Sequence, residues 1–265
     1  MNIRLDSVLR KARVAVFALL ASVACAFAQS SAPTAQPAPK ASATAGPSVD
    51  QILDRYLDAS GGRAAWQKLH SRVSKGTVDV PTAGASGTVE VHEKAPDRVL
   101  ITVNIAGTSF TQGFDGTVGW SNDPQNGVRE QTGAELAETK RDADFYHALD
   151  FRKLYPKASA AGTERIGDKS AYAIEATPAE GGDPDKVYFD VQTGLLIRAI
   201  TQHHNPDGSV EPFQEDFDDY RTQDGVTIPF TIHQTNPQMS FTIKIDEVHH
   251  NVELSNAEFN KPAAQ

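Results

Sequence analysis

The sequence predicts an α+β chain dominated by one antiparallel sheet of about ten strands. Three observations carry this: a capped helical segment opens at Ser48, the hydrophobic period changes from helical spacing to two after Arg72, and turn signals such as Asp115-Gly116, Thr193-Gly194 and Asp224-Gly225 punctuate the alternating runs. The 265 residues, 39% hydrophobic and 22% charged, have a globular composition. The stretch from Ser48 to Gln265 suits a single β-rich domain with a sizeable core.

Two segments precede that domain. Arg10, Lys11 and Arg13 form a positive region, Val14 to Val23 is apolar, and Ala26-Phe27-Ala28 offers a small-residue cleavage site, so residues 1–28 read as a signal peptide cleaved after Ala28 and the chain as periplasmic. The apolar run is shorter than the roughly 20 residues a membrane span needs. Cys25 is the only cysteine, and cleavage discards it, which excludes disulfides, a Cys nucleophile and Cys-ligated zinc. The alternative is that Ser22-Val23-Ala24-Cys25 is a lipoprotein box and Cys25 a lipid anchor. Residues 29–47, built from Ala, Ser, Thr, Gln, Gly, Lys and four prolines, form a disordered linker, and 48–265 the ligand-binding domain.

Charge narrows the partners. The formal net charge is -9; removing four cations and one anion with the leader from 25 and 34 leaves 21 basic and 33 acidic residues, or -12. Such a surface repels phosphate backbones, so nucleic acid is excluded as a partner.

Ser48 and Gln51 make a capping box, Val49, Ile52, Leu53, Tyr56 and Leu57 recur at helical spacing, and Gly61-Gly62 ends the helix. Arg63 to Leu69 forms a short second helix anchored by Trp66 and Leu69. Val89 and Val91, then Val99, Ile101, Val103 and Ile105, alternate with polar residues, and a return strand runs through Phe110 to a hairpin at Asp115-Gly116 before Val118 and Trp120. One long helical segment follows: Thr132 and Glu135 form a second capping box, Leu136, Ala143, Phe145, Tyr146 and Leu149 an apolar side, and Pro156 the stop. Strands resume at Tyr172–Ala176, Lys186–Val191, Leu195–Gln202, Phe213–Arg221, Val226–Gln234 and Phe241–Val248.

Catalytic patterns come only as near misses. Gly84-Ala85-Ser86-Gly87-Thr88 lacks the spacing of G-x-S-x-G, and His92-Glu93-Lys94-Ala95-Pro96 has proline where H-E-x-x-H needs its second ligand. No nucleotide cradle is present, and no cofactor is implied. The pairs His203-His204 and His249-His250 invite a metal reading, but neighbours in a strand point to opposite faces, so exposed strand-end histidines are favoured over a metal site. Glu211, Glu215, Asp216, Asp218 and Asp219 read as a solvated strand face rather than a calcium loop or catalytic pair. The apolar side of the sheet remains. Ile101, Val103, Phe110, Trp120, Phe189, Ile197, Phe217, Phe230, Ile232, Phe241 and Ile243 sit at alternating positions, either lining a ligand cavity or forming ordinary core under the Thr132 to Pro156 helix.

The order of parts resembles the LolA/LolB-like superfamily, which includes periplasmic outer-membrane lipoprotein carriers and lipoprotein-sorting proteins. The residues that carry it are Tyr56-Leu57 with Gly61-Gly62, Pro96-Asp97-Arg98, Asp115-Gly116 with Trp120, Tyr188-Phe189-Asp190, Thr193-Gly194-Leu195-Leu196, Asp219-Tyr220, Asp224-Gly225-Val226 with Pro229-Phe230, and Phe259 to Pro262. The resemblance implies a strongly curved antiparallel sheet, a half-open β-barrel, with helices covering its concave face. It implies that lipid or lipoprotein acyl chains bind between sheet and helices, and that Arg98 is placed like a family arginine at the cavity mouth. The function expected is a non-enzymatic, monomeric periplasmic carrier, with envelope membrane proteins as further partners. The alternative is an envelope-stress sensor or regulatory protein-interaction module on the same fold.

Overall fold

The computed structural model describes residues 46–124, 126–205 and 208–263. The expected signal peptide, Cys25 and most of the expected linker lie outside the described residues, and from Ser48 onward the chain forms one unit.

Helix α1, Val49–Ala59, begins as its sequence dictates: the Ser48 hydroxyl accepts from the Gln51 N–H at 3.2 Å, and the Gln51 side chain accepts from the Ser48 N–H at 2.9 Å. Its end is fixed by Gly61, whose φ of +113° and close approach to the Gly225 carbonyl leave no room for a side chain; a Cβ there would sit 2.2 Å from that oxygen. A single turn, α2 (Arg63–Trp66), follows. The helical segment expected from Thr132 to Pro156 is two helices, α3 (Gly133–Asp142) and α4 (His147–Leu154). The break has a local cause. The Phe145 N–H donates to the Pro96 carbonyl instead of the helix, and Asp144 accepts from the Tyr146 N–H. Nor does Thr132 cap with its side chain, and Glu135 receives Arg129 instead of closing a box.

The strands are β1 (Ser71–Val80), β2 (Ala85–Lys94), β3 (Arg98–Ile105), β4 (Thr108–Phe114), β5 (Gly119–Asp123), β6 (Gly127–Glu130), β7 (Lys157–Ile166), β8 (Lys169–Thr177), β9 (Asp185–Asp190), β10 (Leu196–His204), β11 (Val210–Gln223), β12 (Val226–Thr235) and β13 (Ser240–His250). They form one antiparallel sheet in the order β6-β5-β4-β3-β2-β1-β13-β12-β11-β10-β9-β8-β7. Two meanders, β1–β6 and β7–β13, are thus joined through β1 and β13. The expected count of about ten strands is corrected to thirteen, in a single antiparallel sheet that does not close and has β6 and β7 as its edges. Those two edges are the strands the periodicity missed. Lys157–Ile166 is largely exposed and rich in Ala, Ser and Gly, so no buried face imprints an alternation on it.

The helices all pack on one face of the sheet. There, α1, α4 and the residue that ends α4 bury Val49, Ile52, Phe151 and Tyr155 against Ile174, Val187, Phe189 and Ala199 of β8–β10. Next to them, Trp66, Leu69 and Phe145 cover Val226, Ile228 and Phe230 of β12 and Val248 of β13. The opposite face carries a strap: the C-terminal segment lays Leu254 and Phe259 over Val73 and Leu100.

Candidate functional site

Strand register sorts the apolar side chains of the helix-bearing face into rows. One row runs Ile105, Gly87, Val78, Ile243, Ile232, Phe217 through six adjacent strands, and the next runs Phe110, Val103, Val89, Gly76, Ile245. A third reads Arg129, Ser121, Gln112, Ile101, Val91, Ser74, Val248, changing from polar to apolar between β4 and β3. Ile101, Val103, Phe110, Ile232, Phe241 and Ile243 are only half-buried, and neither packed cluster under the helices includes them. The helices therefore leave an apolar stretch of β3, β4, β12 and β13 uncapped.

The other positions expected to line a cavity separate from these six. Phe189, Phe217 and Phe230 share the face but pack into the two helix-covered clusters, Phe189 and Phe230 as buried core and Phe217 beside it. Trp120 and Ile197 lie on the opposite face. Register puts Gly119 and Ser121 beside Phe114 and Gln112, which turns the intervening Trp120 outward to donate to the Phe259 carbonyl. At Ile197 a bulge between Leu196 and Arg198 reverses the alternation, so this residue packs with Ala171, Ala173 and Tyr188. Arg98 also opens β3 on the Leu100 side, with its guanidinium over Gly116, which takes it off the helix-bearing face where a cavity mouth was expected.

The polar end of the third row meets α3. Gln112 of β4 donates to the Thr139 hydroxyl at 3.3 Å, while the neighbouring Glu138 receives His203 Nδ1 of β10 at 2.7 Å and the His204 N–H at 3.0 Å. In a flat sheet β4 and β10, seven strand spacings apart, would be separated by roughly 34 Å at about 4.8 Å per strand. Adjacent residues of one helix reach both, so the sheet bends around α3. A hollow of about 160 Å³ lies on this side of the helix, walled by Gln112 and Ser121 from the sheet and by Glu138, Thr139 and Asp142 from α3. On the other flank, a hollow of about 390 Å³ is bounded by Ala137, Arg141, Gln202 and the Pro178–Asp183 loop.

Charges concentrate around α3. Hemmed in by protein yet open to water on one side, Asp142 is pushed up to about 7 by burial, opposed by Arg141 and reinforced by the carboxylates of Glu138, Glu215 and Asp185. Burial likewise raises Glu215, against the hydrogen bond it accepts from Gln234 at 2.5 Å. Burial also opposes the charge on Glu138, but the hydrogen bond from His203 holds it below the usual carboxylate range and holds His203 above that of a free imidazole. Arg141 is buried against Glu180 and Asp185, and Tyr155 donates to Asp185 at 2.9 Å.

The histidine pairs are thus engaged separately: His203 and His204 converge on Glu138, His249 lies exposed 3.6 Å from Glu247, and His250 bonds Asp224 at 2.9 Å. Among the described residues no group of three His, Cys, Asp or Glu is arranged to hold a metal ion, and no helix is long and apolar enough to cross a membrane. The acidic run divides between faces. Glu215 looks toward α3, whereas Asp216 pairs with Arg198 and Asp219 with Arg221. That Glu215 adds to the negative field at Asp142 was not legible, because it depends on α3 crossing the sheet.

No protein-family model and no curated protein matches the sequence. Solved structures do share the fold. A LolA superfamily protein of Nitrosomonas europaea is 13% identical, with 82% of this chain and 99% of that one covered at a TM-score of 0.54. A DUF1329 family protein of Desulfovibrio piger is 15% identical over 80% and 97% at 0.52, and an outer membrane lipoprotein-sorting protein domain of Vibrio parahaemolyticus is 14% identical over 79% and 94% at 0.50. The chain therefore has a LolA-like fold over about four fifths of its length.

Proposed function

We propose that this protein is a non-enzymatic periplasmic carrier that binds the apolar part of a lipid or lipoprotein, exported by a leader cleaved after Ala28. The observation that carries the reading is the uncapped apolar stretch formed by Ile101, Val103, Phe110, Ile232, Phe241 and Ile243 on a sheet that bends around α3. Burial of chain surface there would stabilise a complex by about 0.8 kcal/mol per CH₂. The fold shared with a lipoprotein-sorting domain supports an acyl chain as the occupant.

Native mass spectrometry of the chain purified from its own envelope without detergent tests the reading, with extraction of what is bound. A stoichiometric lipid or acylated peptide is expected. Titration should use an environment-sensitive acyl probe rather than intrinsic fluorescence, since Trp120 lies on the opposite face and Trp66 inside a packed cluster. An empty protein that leaves such a probe in water would overturn the assignment.

A further inference from the structure

The hollow between α3 and β4–β6 is rich in acceptors whose partners are missing. Gln131 is 4% exposed and lines it, yet its Oε1 has no hydrogen-bond partner among the described residues; the buried Ser121 Oγ on the same wall has none either. A buried polar group left unpaired costs about 1–3 kcal/mol, so this arrangement is stabilised by whatever supplies a donor. The nearby donors are directed at groups already present: Arg129 at Glu135 with distances of 2.8 and 2.5 Å, Gln112 at Thr139, His203 at Glu138. The Asp142 carboxylate also lines the hollow, exposed to solvent and with Arg141 as its nearest opposing charge, and it receives no hydrogen bond from the described residues.

The place of this hollow in the sheet gives it a role. Ser121 and Gln112 stand in the same register row as Ile101 and Val91, so the polar wall continues directly into the apolar stretch. We propose that the hollow is the head-group end of that ligand site and selects a protonated amine, making the ligand an amphiphile whose chain lies along Ile101 and its apolar neighbours while its ammonium donates to Asp142, Gln131 and Ser121. An ammonium offers three donors and a positive charge, which match the two orphan acceptors and the carboxylate in number and sign. A fatty carboxylate or phosphate would bring a second anion against Asp142. The inference rests on the apolar stretch being the ligand-binding face.

Calorimetric titration of the detergent-free protein with dodecylammonium, dodecanol and dodecanoate, each below its micellar concentration, tests it at about pH 8, where Asp142 carries its charge. The amine is expected to bind about tenfold or more tighter than the alcohol, and the acid weakest. Asp142→Asn should bring the amine to the level of the alcohol while leaving the alcohol unchanged. Equal binding of all three, preference for the acid, or an amine preference that survives Asp142→Asn overturns the amine assignment and leaves the apolar face standing. Failure of all three to bind overturns both.

Discussion

The Trp120 indole N–H donates to the carbonyl oxygen of Phe259 at 2.8 Å, with Trp120 2% and Phe259 0% exposed, joining the first meander to the C-terminal strap across the face opposite the helices. The strap is short, with a 3-10 turn at Asn256–Phe259 capped by Ser255, and it is held by the buried Leu254 and Phe259, by this hydrogen bond and by donation from Ser71 and Lys94 to the Val252 and Leu254 carbonyls. Phe259→Ala should therefore destabilise the protein by about 3–5 kcal/mol, as for other buried aromatic truncations. Urea melts would read the loss, and the Trp120 emission should move to the red. An unshifted midpoint would mean that the strap is ornamental to the sheet.

The junction between α1 and the β11–β12 turn depends on one missing side chain. Gly61→Ala would place a Cβ 2.2 Å from the Gly225 oxygen at a φ that L-residues rarely adopt. Neither obstacle is a flexible side chain that could swing away. The variant should lose about 2 kcal/mol or more, whereas Gly62→Ala, with open space around its Cβ position, should lose less. Equal midpoints for the two would contradict the close-approach argument.

Phe230 and Phe241 look equivalent in the sequence, but the structure assigns them different work. Phe230 is buried beneath Trp66 and Phe145, with Arg221 stacked 4.5 Å from its ring, while Phe241 is half-buried on the uncapped stretch. Phe230→Ala should cost the domain about 3–5 kcal/mol, because it empties a packed aromatic site. Phe241→Asp should leave the melt within about 1 kcal/mol of the parent and remove acyl-probe binding. Probe binding that survives in a folded Phe241→Asp protein would sink the placement of the ligand on β13.

The contrast between these residues shows where sequence periodicity stops being informative. Alternation placed most strands and the helix start at Ser48, since a period of two or 3.6 is written locally. Which face a run belongs to is not local. Trp120 and Ile197 carry the same alternating signature as Phe110 and Ile243, yet a hairpin register and one bulge put both on the other side. Edge strands β6 and β7 left little trace because they bury little. The polar hollow was less legible still. Ser121, Gln131, Glu138 and Asp142 are unremarkable in sequence and line one hollow only because α3 spans from β4 to β10.

That span also makes stability depend on pH. His203 is held above its ordinary 6.5 by Glu138, so its contribution is complete below about 6.5 and is lost as pH rises through the higher folded value. Glu138 is held below 4.5, so its share is present above 4.5 and is lost as pH falls through the lower folded value. The α3 tether is thus strongest between those limits. Asp142 acts in the same sense as His203 on the alkaline side: pushed from 3.8 to about 7, it binds its proton more tightly when folded, and stability falls as pH rises through that interval. His147, lowered by burial, works the other way and removes stability as pH falls below 6.5. Replacing Asp142 with Asn removes one contribution without touching the Glu138 clamp. The variant should match the parent near pH 4 and exceed it near pH 8 by on the order of 1 kcal/mol, a figure reduced for the water that reaches the carboxylate. Urea midpoints at the two pH values measure the difference. A variant no more stable than the parent at the higher pH would mean that Asp142 ionises there without penalty and that the hollow is better solvated than its walls suggest.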